Sequence, residues 1–201
     1  MIIGVDIDEV LAEHLDTLNA FIAQHYDMHF TKEMYHSYHW WLVWGIDKAE
    51  AVAIDRAFKE SKDFANIAPV AGSYQGLKTL TQLAQVHIIT SRPEFCQLQT
   101  EQWLKQHFGD LSYSLHFSEC FHKNTGLPKH DYCKANNISI MIEDSKDISL
   151  SCAQQGITVF LMNKPWNQNV EHTNIIRVNN WFQITQRLNT MLESPSLWLK
   201  T

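Results

Sequence analysis

Two aspartates stand two residues apart in "GVDIDEVLAEHL", residues 4–15, where an apolar run ends, and Glu9 adds a third carboxylate beside them. A second acidic pair, Glu143 and Asp144, closes another apolar run, with Asp147 three residues on. Thr90 and Ser91 close a third run and Arg92 follows them, while Lys129 precedes the segment that leads to Glu143. Carboxylates in such sets can hold a hard divalent cation through oxygen, attack as nucleophiles and move protons. A hydroxyl and an ammonium beside them can stabilise an oxyanion. Asp6 interrupts an apolar strand, where a carboxylate is costly, so it is hard to read as an idle turn residue.

These residues meet only if the runs that carry them are strands of one sheet. The runs are "IIGVDI" at 2–7, "VHIIT" at 86–90, "LHF" at 115–117, "ISIMI" at 138–142, "TVFLM" at 158–162 and "IIRV" at 175–178. Most are continuous rather than alternating, as in parallel strands buried on both faces. Between them Tyr74, Leu77, Leu80 and Leu83 recur at helical spacing, as do Phe95, Leu98, Leu104 and Phe108, and Trp181, Ile184, Leu188 and Leu192. Gly156 is placed as a helix C-cap. The alternation predicts an α/β fold with a doubly wound parallel sheet, which binds ligands beyond the carboxyl ends of its strands.

One interval breaks the rhythm. About seventy residues separate the first strand from the helix before "VHIIT", far more than a strand-to-helix connection needs. Leu11, Leu15, Leu18 and Ile22 make an amphipathic stripe there, Asp47 and Glu50 resemble a capping box, and the aromatic-rich "YHSYHWWLVWG" lies between. The expectation is a small α-helical insertion, residues 15–75, over a core formed by 1–14 and 76–201.

Composition narrows the partners. The 201 residues carry a formal net charge of −6 and no basic run, which argues against a polymeric nucleic acid as partner. No apolar stretch reaches membrane-spanning length and no leader pattern is visible, so no membrane partner and a cytoplasmic location are expected. Cys96, Cys120, Cys133 and Cys152 form no CxxC pair and read as buried thiols. His36 and His39 lack a further clustered ligand, so they do not read as a metal site.

Taken in order, DxD after the first strand, Thr-Ser after the second, Lys129 before the fourth and an acidic pair after it resemble the motifs of the haloacid dehalogenase superfamily of phosphohydrolases. The resemblance covers essentially the whole chain, the insertion being similar to a type 1 helical cap on a Rossmann-like core. "TSRPEF", the step from Lys129 to Asp144 and "NKPWN" at 163–167 look most like the 5′(3′)-deoxyribonucleotidase-like group. The resemblance implies a Mg²⁺-dependent phosphomonoester hydrolase that acts through an aspartyl-phosphate, with a small phosphorylated substrate such as a nucleoside monophosphate.

That resemblance also implies roles. Asp6 would be the nucleophile, ionised at neutral pH if its pKa is ordinary. Asp8 would protonate the leaving oxygen and later deprotonate water, a task helped by a pKa raised by neighbouring carboxylates. Mg²⁺ would be held by Asp6, the backbone carbonyl of Asp8, and Asp144. Glu143 stands behind Asp144 as a supporting group, although one sequence does not separate the two, and Asp147 would orient metal-bound water. Thr90, Ser91 and Lys129 would hold the phosphoryl group, with Lys123 and Lys134 as nearby competitors for the lysine role.

Tyr38, Trp40, Trp41 and Trp44, with Tyr35, are candidates to stack a substrate ring, against the alternative that they pack the cap. Arg92 is a candidate substrate contact, set against a surface role. Glu9 stands where many superfamily members carry Gly, so it either repels a second phosphate or faces solvent. The weakly basic "HKNTGLPKH" at 122–130 argues against a polyphosphate. Two alternatives stay open: a phosphatase or phosphotransferase for another metabolite, and a member that binds a phospholigand without turnover. A receiver-type signalling module fits less well, because its acceptor Asp sits mid-chain and it needs no such insertion.

Overall fold

A computed structural model describes residues 1–118 and 127–193. Cys120, Lys123 and residues 122–126 of the weakly basic segment lie outside that set. In chain order the elements are β1 (Ile2–Val5), α1 (His14–Tyr26), α2 (Trp40–Trp44), α3 (Lys48–Lys59), α4 (Lys62–Ala65), α5 (Ser73–Leu83), β2 (Gln85–Thr90) and α6 (Gln97–Phe108). There follow β3 (Ser114–Phe117), α7 (Lys129–Ala135), β4 (Ile140–Glu143), α8 (Lys146–Gln154), β5 (Thr158–Met162), β6 (Ile175–Val178) and α9 (Trp181–Glu193).

The six strands form one sheet in the order β3-β2-β1-β4-β5-β6, and every pairing is parallel. The apolar runs are continuous because both faces are covered. Ile140 and Ile142 enter one buried cluster with Ile3, Val5 and Ile88, while Met141 between them enters the other with Ile89, Val159 and Leu161. Gly4 is needed at the centre of this sheet, since a Cβ there would lie 2.7 Å from Met141 Sδ. Register then aligns the functional ends: Val5 pairs with Ile88 on one side and with Ile142 on the other. Asp6 and Glu143 therefore leave the sheet side by side, with Thr90 one residue further along β2, and the Asp6 N–H still donates to the Ile142 carbonyl at 3.0 Å.

Helices α1 to α4 fill most of the long interval after β1. Leu15, Leu18 and Ile22 of α1 pack with Ile54 and Phe58 of α3 and Phe64 of α4. Burial of each such side chain stabilises by about 1.5–3 kcal/mol. Asp47 caps α3, its side chain accepting the Glu50 N–H at 2.8 Å. Chain exit and return are tied together: the Glu13 N–H donates to the Ala68 carbonyl at 2.9 Å and the Val70 N–H to the Leu11 carbonyl at 2.8 Å. After this tie α5 packs against α9, with Gly76 against the Trp181 ring.

Some helical faces differ from expectation. Leu77 and Leu80 are buried on α5 but Tyr74 and Leu83 are exposed. On the next segment Phe95 and Leu98 face solvent, and the buried face is Thr100, Trp103, Leu104 and Phe108. The cause is a short 3₁₀ turn, Glu94–Cys96, before α6, which shifts the phase of any periodicity counted from Phe95. Gly156 follows α8 with φ 80°, as a glycine beyond a helix end can. Cys96, Cys133 and Cys152 are buried free thiols.

Candidate active site

The loop that follows β1 is a tight turn around one carbonyl: Ile7 O accepts from the Leu11 N–H at 2.7 Å and the Ala12 N–H at 2.8 Å. Ile7, Val10 and Leu11 are fully buried and anchor it, while Trp181 Nε1 on α9 donates to the Val10 carbonyl at 2.8 Å. Asp6, Asp8 and Glu9 are thus carried on a backbone pinned from below.

Asp6 is buried, with Lys129 Nζ 2.7 Å from its Oδ1. Lys129 starts α7 and also reaches Glu143 Oε2 at 2.9 Å. The other Glu143 oxygen accepts the N–H groups of Asp144 at 3.2 Å and Ser145 at 3.1 Å. Oxygens of Asp6, Glu143 and Asp144 all lie within 4.8 Å of one another. This crowding changes the charge states. Burial, then Glu143, outweighs Lys129 and pushes Asp6 up to about 8; burial with Glu143, Asp6 and Glu9 holds Asp144 well above the usual carboxylate range. The ordinary carboxylate pKa expected of Asp6 is therefore raised in the metal-free protein. An oxygen-only set of three buried carboxylates, outnumbering the one ammonium among them, fits a hard divalent cation such as Mg²⁺. Glu143 already satisfies Lys129 and two amides, so Asp6 and Asp144 are the carboxylates that could hold the ion.

Asp144 is held in turn from the loop after β5. Trp166 Nε1 donates to its Oδ2 at 2.9 Å, and Asn167 Nδ2 joins the Asp144 and Met162 carbonyls, both at 2.7 Å. "NKPWN" contains these supporting groups, and neither was singled out from the sequence. Asp147, expected near the metal, instead lies exposed in the first turn of α8 and outside the acidic cluster. One helical turn after the strand carries it outward, which corrects that expectation.

Asp8 has a different environment from Asp6. Arg92 grips it with both Nη2, 2.6 Å from Oδ1, and Nε, 3.1 Å from Oδ2. His14 Nδ1 lies 3.0 Å from Oδ1 on the other side. Burial alone would raise the Asp8 pKa, but Arg92 and then His14 hold it well below the usual range. The expected rise is thus reversed, because the Arg92 guanidinium grips the carboxylate. Arg92 is itself buried, with its guanidinium over Phe64 at 4.5 Å and Trp103 at 5.7 Å. It is placed to orient Asp8, which replaces the surface alternative. His14 was missed because no local spacing links a residue at the start of a helix to Asp8.

At the end of β2, the buried Thr90 hydroxyl accepts the Arg92 N–H at 3.1 Å. Ser91 Oγ is 3.0 Å from Ser118 Oγ and borders the cavity.

Glu9 neither faces solvent nor stands free to repel phosphate. It is 5% exposed, adopts φ 62°, accepts the Leu15 N–H at 2.7 Å with one oxygen, and meets Lys164 at 2.7 Å and Lys32 at 3.1 Å with the other. It joins the loop after β5 to the segment between α1 and α2. Burial would raise its pKa, yet Lys164 and Lys32 lower it.

A cavity of about 150 Å³ opens over these groups. From below it is lined by Asp6, Asp8, Glu9, Ser91, Arg92, Lys129, Asp144 and Trp166; from above by His14, Tyr38, Trp40, Trp41, Asp55 and Lys59 among others. The Tyr38 phenol is held well above its ordinary value by burial and then by the field of Asp144, Asp6, Glu143 and Asp8. His39 stacks on Trp41 with centroids 4.6 Å apart. Trp44, expected as a ring-stacking candidate, turns away instead: its Nε1 donates to Tyr35 Oη at 2.8 Å, and Tyr35 donates to Asn19 Oδ1 at 2.6 Å. These two aromatics pack the helical layer because their polar tips find partners inside it.

Residues 1–192 match the family described as 5′ nucleotidase, deoxy (pyrimidine), cytosolic type C protein. YqfW of Bacillus subtilis (strain 168), named as a candidate nucleotidase, is 33% identical over 91 residues, a stretch covering 42% of this chain and 47% of that protein. Among solved structures, a magnesium-bound haloacid-dehalogenase-type hydrolase, YfnB of B. subtilis, superposes with TM-score 0.64 at 14% identity, covering 94% of this chain and 98% of the other. The haloacid dehalogenase-like protein SP0104 of Streptococcus pneumoniae gives TM-score 0.63 at 15% identity over 93% and 97%. CbbY of Rhodobacter sphaeroides, solved with phosphate, gives 0.59 at 16% over 91% and 95%. At such identities these structures speak for the fold. The sheet order, the acids at its strand ends and the near full-length match together make this chain a member of the cytosolic type C 5′-nucleotidase family, on a haloacid-dehalogenase-type fold.

Proposed function

We propose that this protein is a cytoplasmic phosphomonoester hydrolase, acting on nucleoside monophosphates through an aspartyl-phosphate formed on Asp6. The observation that carries this reading is the meeting of Asp6, Lys129, Glu143 and Asp144 at adjacent strand ends, beneath a cavity that also holds Asp8 and Ser91. Asp6, the backbone carbonyl of Asp8, and Asp144 would hold Mg²⁺. When bound, the ion offsets the charge of the phosphate dianion and of the buried carboxylates.

The chain's own groups then divide the work. An Asp6 carboxylate oxygen attacks phosphorus as the bond to the leaving oxygen breaks. Asp8 gives that oxygen a proton, and the phosphoryl group passes to Asp6. In the second half Asp8 takes a proton from water, the water oxygen bonds to phosphorus and the Asp6–phosphorus bond breaks. Lys129 and the Thr90 and Ser91 hydroxyls stabilise charge on the transferring oxygens. Asp8 ends the second half protonated and carries that proton into the next turnover, while Arg92 and His14 favour its ionised form between the two halves, the state needed to deprotonate water. We assign the helices between His14 and Ala68 as a cap that keeps bulk solvent from the phosphoenzyme. Glu143 supports Asp144 from behind.

A panel of phosphorylated metabolites, including ribo- and deoxyribonucleotides, assayed with Mg²⁺ tests the reading. Nucleoside monophosphates should lead the panel, with activity lost in chelator; a sugar phosphate far ahead of every nucleotide would overturn the substrate class.

A further inference from the structure

Arg177 is the one charged residue of β6, an edge strand of the sheet, and it does not border the cavity. Among the described residues its guanidinium donates to neutral acceptors alone, and all of them lie on the segment after β5. Nη1 donates to Asn163 Oδ1 at 3.0 Å and to Asn167 Oδ1 at 2.7 Å, and Nη2 to the carbonyls of Asn167 at 2.7 Å and Gln168 at 3.0 Å. A strand cation that directs every hydrogen bond at residues 163–168 fixes the shape of that segment. The same segment carries Trp166 and Asn167, the two side chains that hold Asp144.

Asn167 is fully buried, and both ends of its amide are fully engaged. Oδ1 accepts from Arg177 and from the Lys164 N–H at 3.2 Å, while Nδ2 donates to the Asp144 and Met162 carbonyls. The two ends of an amide are alike in size and opposite in polarity, and a guanidinium only donates. Arg177 therefore holds Oδ1 towards β6 and leaves Nδ2 for the Asp144 backbone. The 3₁₀ turn Pro165–Asn167 sets Trp166 beside it, and the indole N–H engages Oδ2 of Asp144. Among the described residues that is the one side-chain oxygen of Asp144 with a hydrogen-bond donor, so the other oxygen is left for a cation.

Resting on the phosphohydrolase reading in which Asp144 holds Mg²⁺, we propose that Arg177 is a positioning residue for the cation: through Asn167 and Trp166 it makes Asp144 a one-oxygen ligand, which favours Mg²⁺ over Ca²⁺. Ca²⁺ accepts carboxylates through one or both oxygens in a flexible shell of about six to eight ligands, whereas Mg²⁺ demands near-octahedral geometry. Binding through both Asp144 oxygens would break the indole hydrogen bond. Loss of a group that holds a metal ligand from behind commonly costs about 10–100-fold in affinity.

Titration calorimetry of the full chain with Mg²⁺ and with Ca²⁺, without substrate, tests this. Arg177→Met, which keeps an unbranched stem and removes the donors, should weaken Mg²⁺ at least about tenfold and Ca²⁺ less than about threefold, so that the preference for Mg²⁺ falls. Trp166→Phe, which keeps an aromatic ring and removes the indole N–H, should shift the preference the same way, and it decides the matter if Arg177→Met does not fold. An unchanged Mg²⁺ affinity in folded Arg177→Met overturns the proposal, as does equal weakening of both ions in either variant, the mark of a segment that is only loosened. A wild-type chain that binds neither ion overturns it as well. A chain that ranks the ions as stated yet hydrolyses no phosphomonoester would instead strike the hydrolase reading, and the ion preference would still report on Arg177.

Discussion

At the residue scale, the two aspartates of "GVDIDEVLAEHL" differ because their neighbours differ. Asp6 faces Glu143 and Asp144 with one ammonium, whereas Asp8 is held between Arg92 and His14. Asp8→Asn should let phosphoenzyme build up with a good leaving group and slow its breakdown by about 10²–10⁴, the usual worth of general acid–base catalysis; rapid-quench kinetics measure both. Because Asp8 is held ionised, turnover of a substrate with a poor leaving group should rise towards acidic pH more than turnover of an activated aryl phosphate. Paired pH–rate profiles check that difference. Lys129→Met leaves Asp6 and Glu143 buried without their cation and should cost about 3–5 kcal/mol of stability in metal-free protein, measured by denaturant unfolding. The residue types at the strand ends were readable from sequence because each motif closes an apolar run. Their charge states were not, since Arg92 and His14 reach Asp8 only through the fold.

At the element scale, positioning depends on contacts between segments far apart in the chain. Glu9 joins the loop after β5 to the helical layer and caps the start of α1. Glu9→Ala should be less stable than wild type by about 1–3 kcal/mol. Glu9→Gly should be more stable than Glu9→Ala by about 1 kcal/mol, since glycine meets φ 62° without the left-handed penalty; equal unfolding midpoints for the two variants would contradict this. Trp181 links α9 to the loop of the acids through Val10, and Gly76 on α5 makes room for its ring, 2.1 Å from an added Cβ. Gly76→Ala should therefore cost about 1–3 kcal/mol by overpacking and lower activity, although Gly76 touches no acid. Strand and helix identities were legible from apolar pattern. The phase of α6 was not, because the 3₁₀ turn before it resets the count, and the Trp166 and Asn167 supports for Asp144 arise only from the order of β4 and β5 in the sheet.

At the scale of the whole molecule, the buried acids oppose folding unless a cation joins them. In metal-free protein Asp6 is raised from 3.8 to about 8 and Asp144 is also raised, so the folded state binds more protons than the unfolded state between those values. Their stabilising contribution is full below the unfolded pKa and is lost as pH climbs towards 8. His87, His107 and His116 are lowered from 6.5 and act in the opposite sense, but below that value. Between about pH 6.5 and 8 the melting temperature in chelator should therefore fall as pH rises, and Mg²⁺ should oppose the fall most at the upper end. Calorimetry with and without Mg²⁺ measures both trends, and a midpoint that rises with pH in chelator would contradict the charge assignment. The covalent step on Asp6 is settled by peptide mass spectrometry of Asp8→Asn protein incubated with Mg²⁺ and an activated aryl phosphate. One phosphoryl group is expected on Asp6, absent when Asp6 is also Asn; an unmodified Asp6 peptide during turnover, or a phosphoryl group on another residue, would rule out the step.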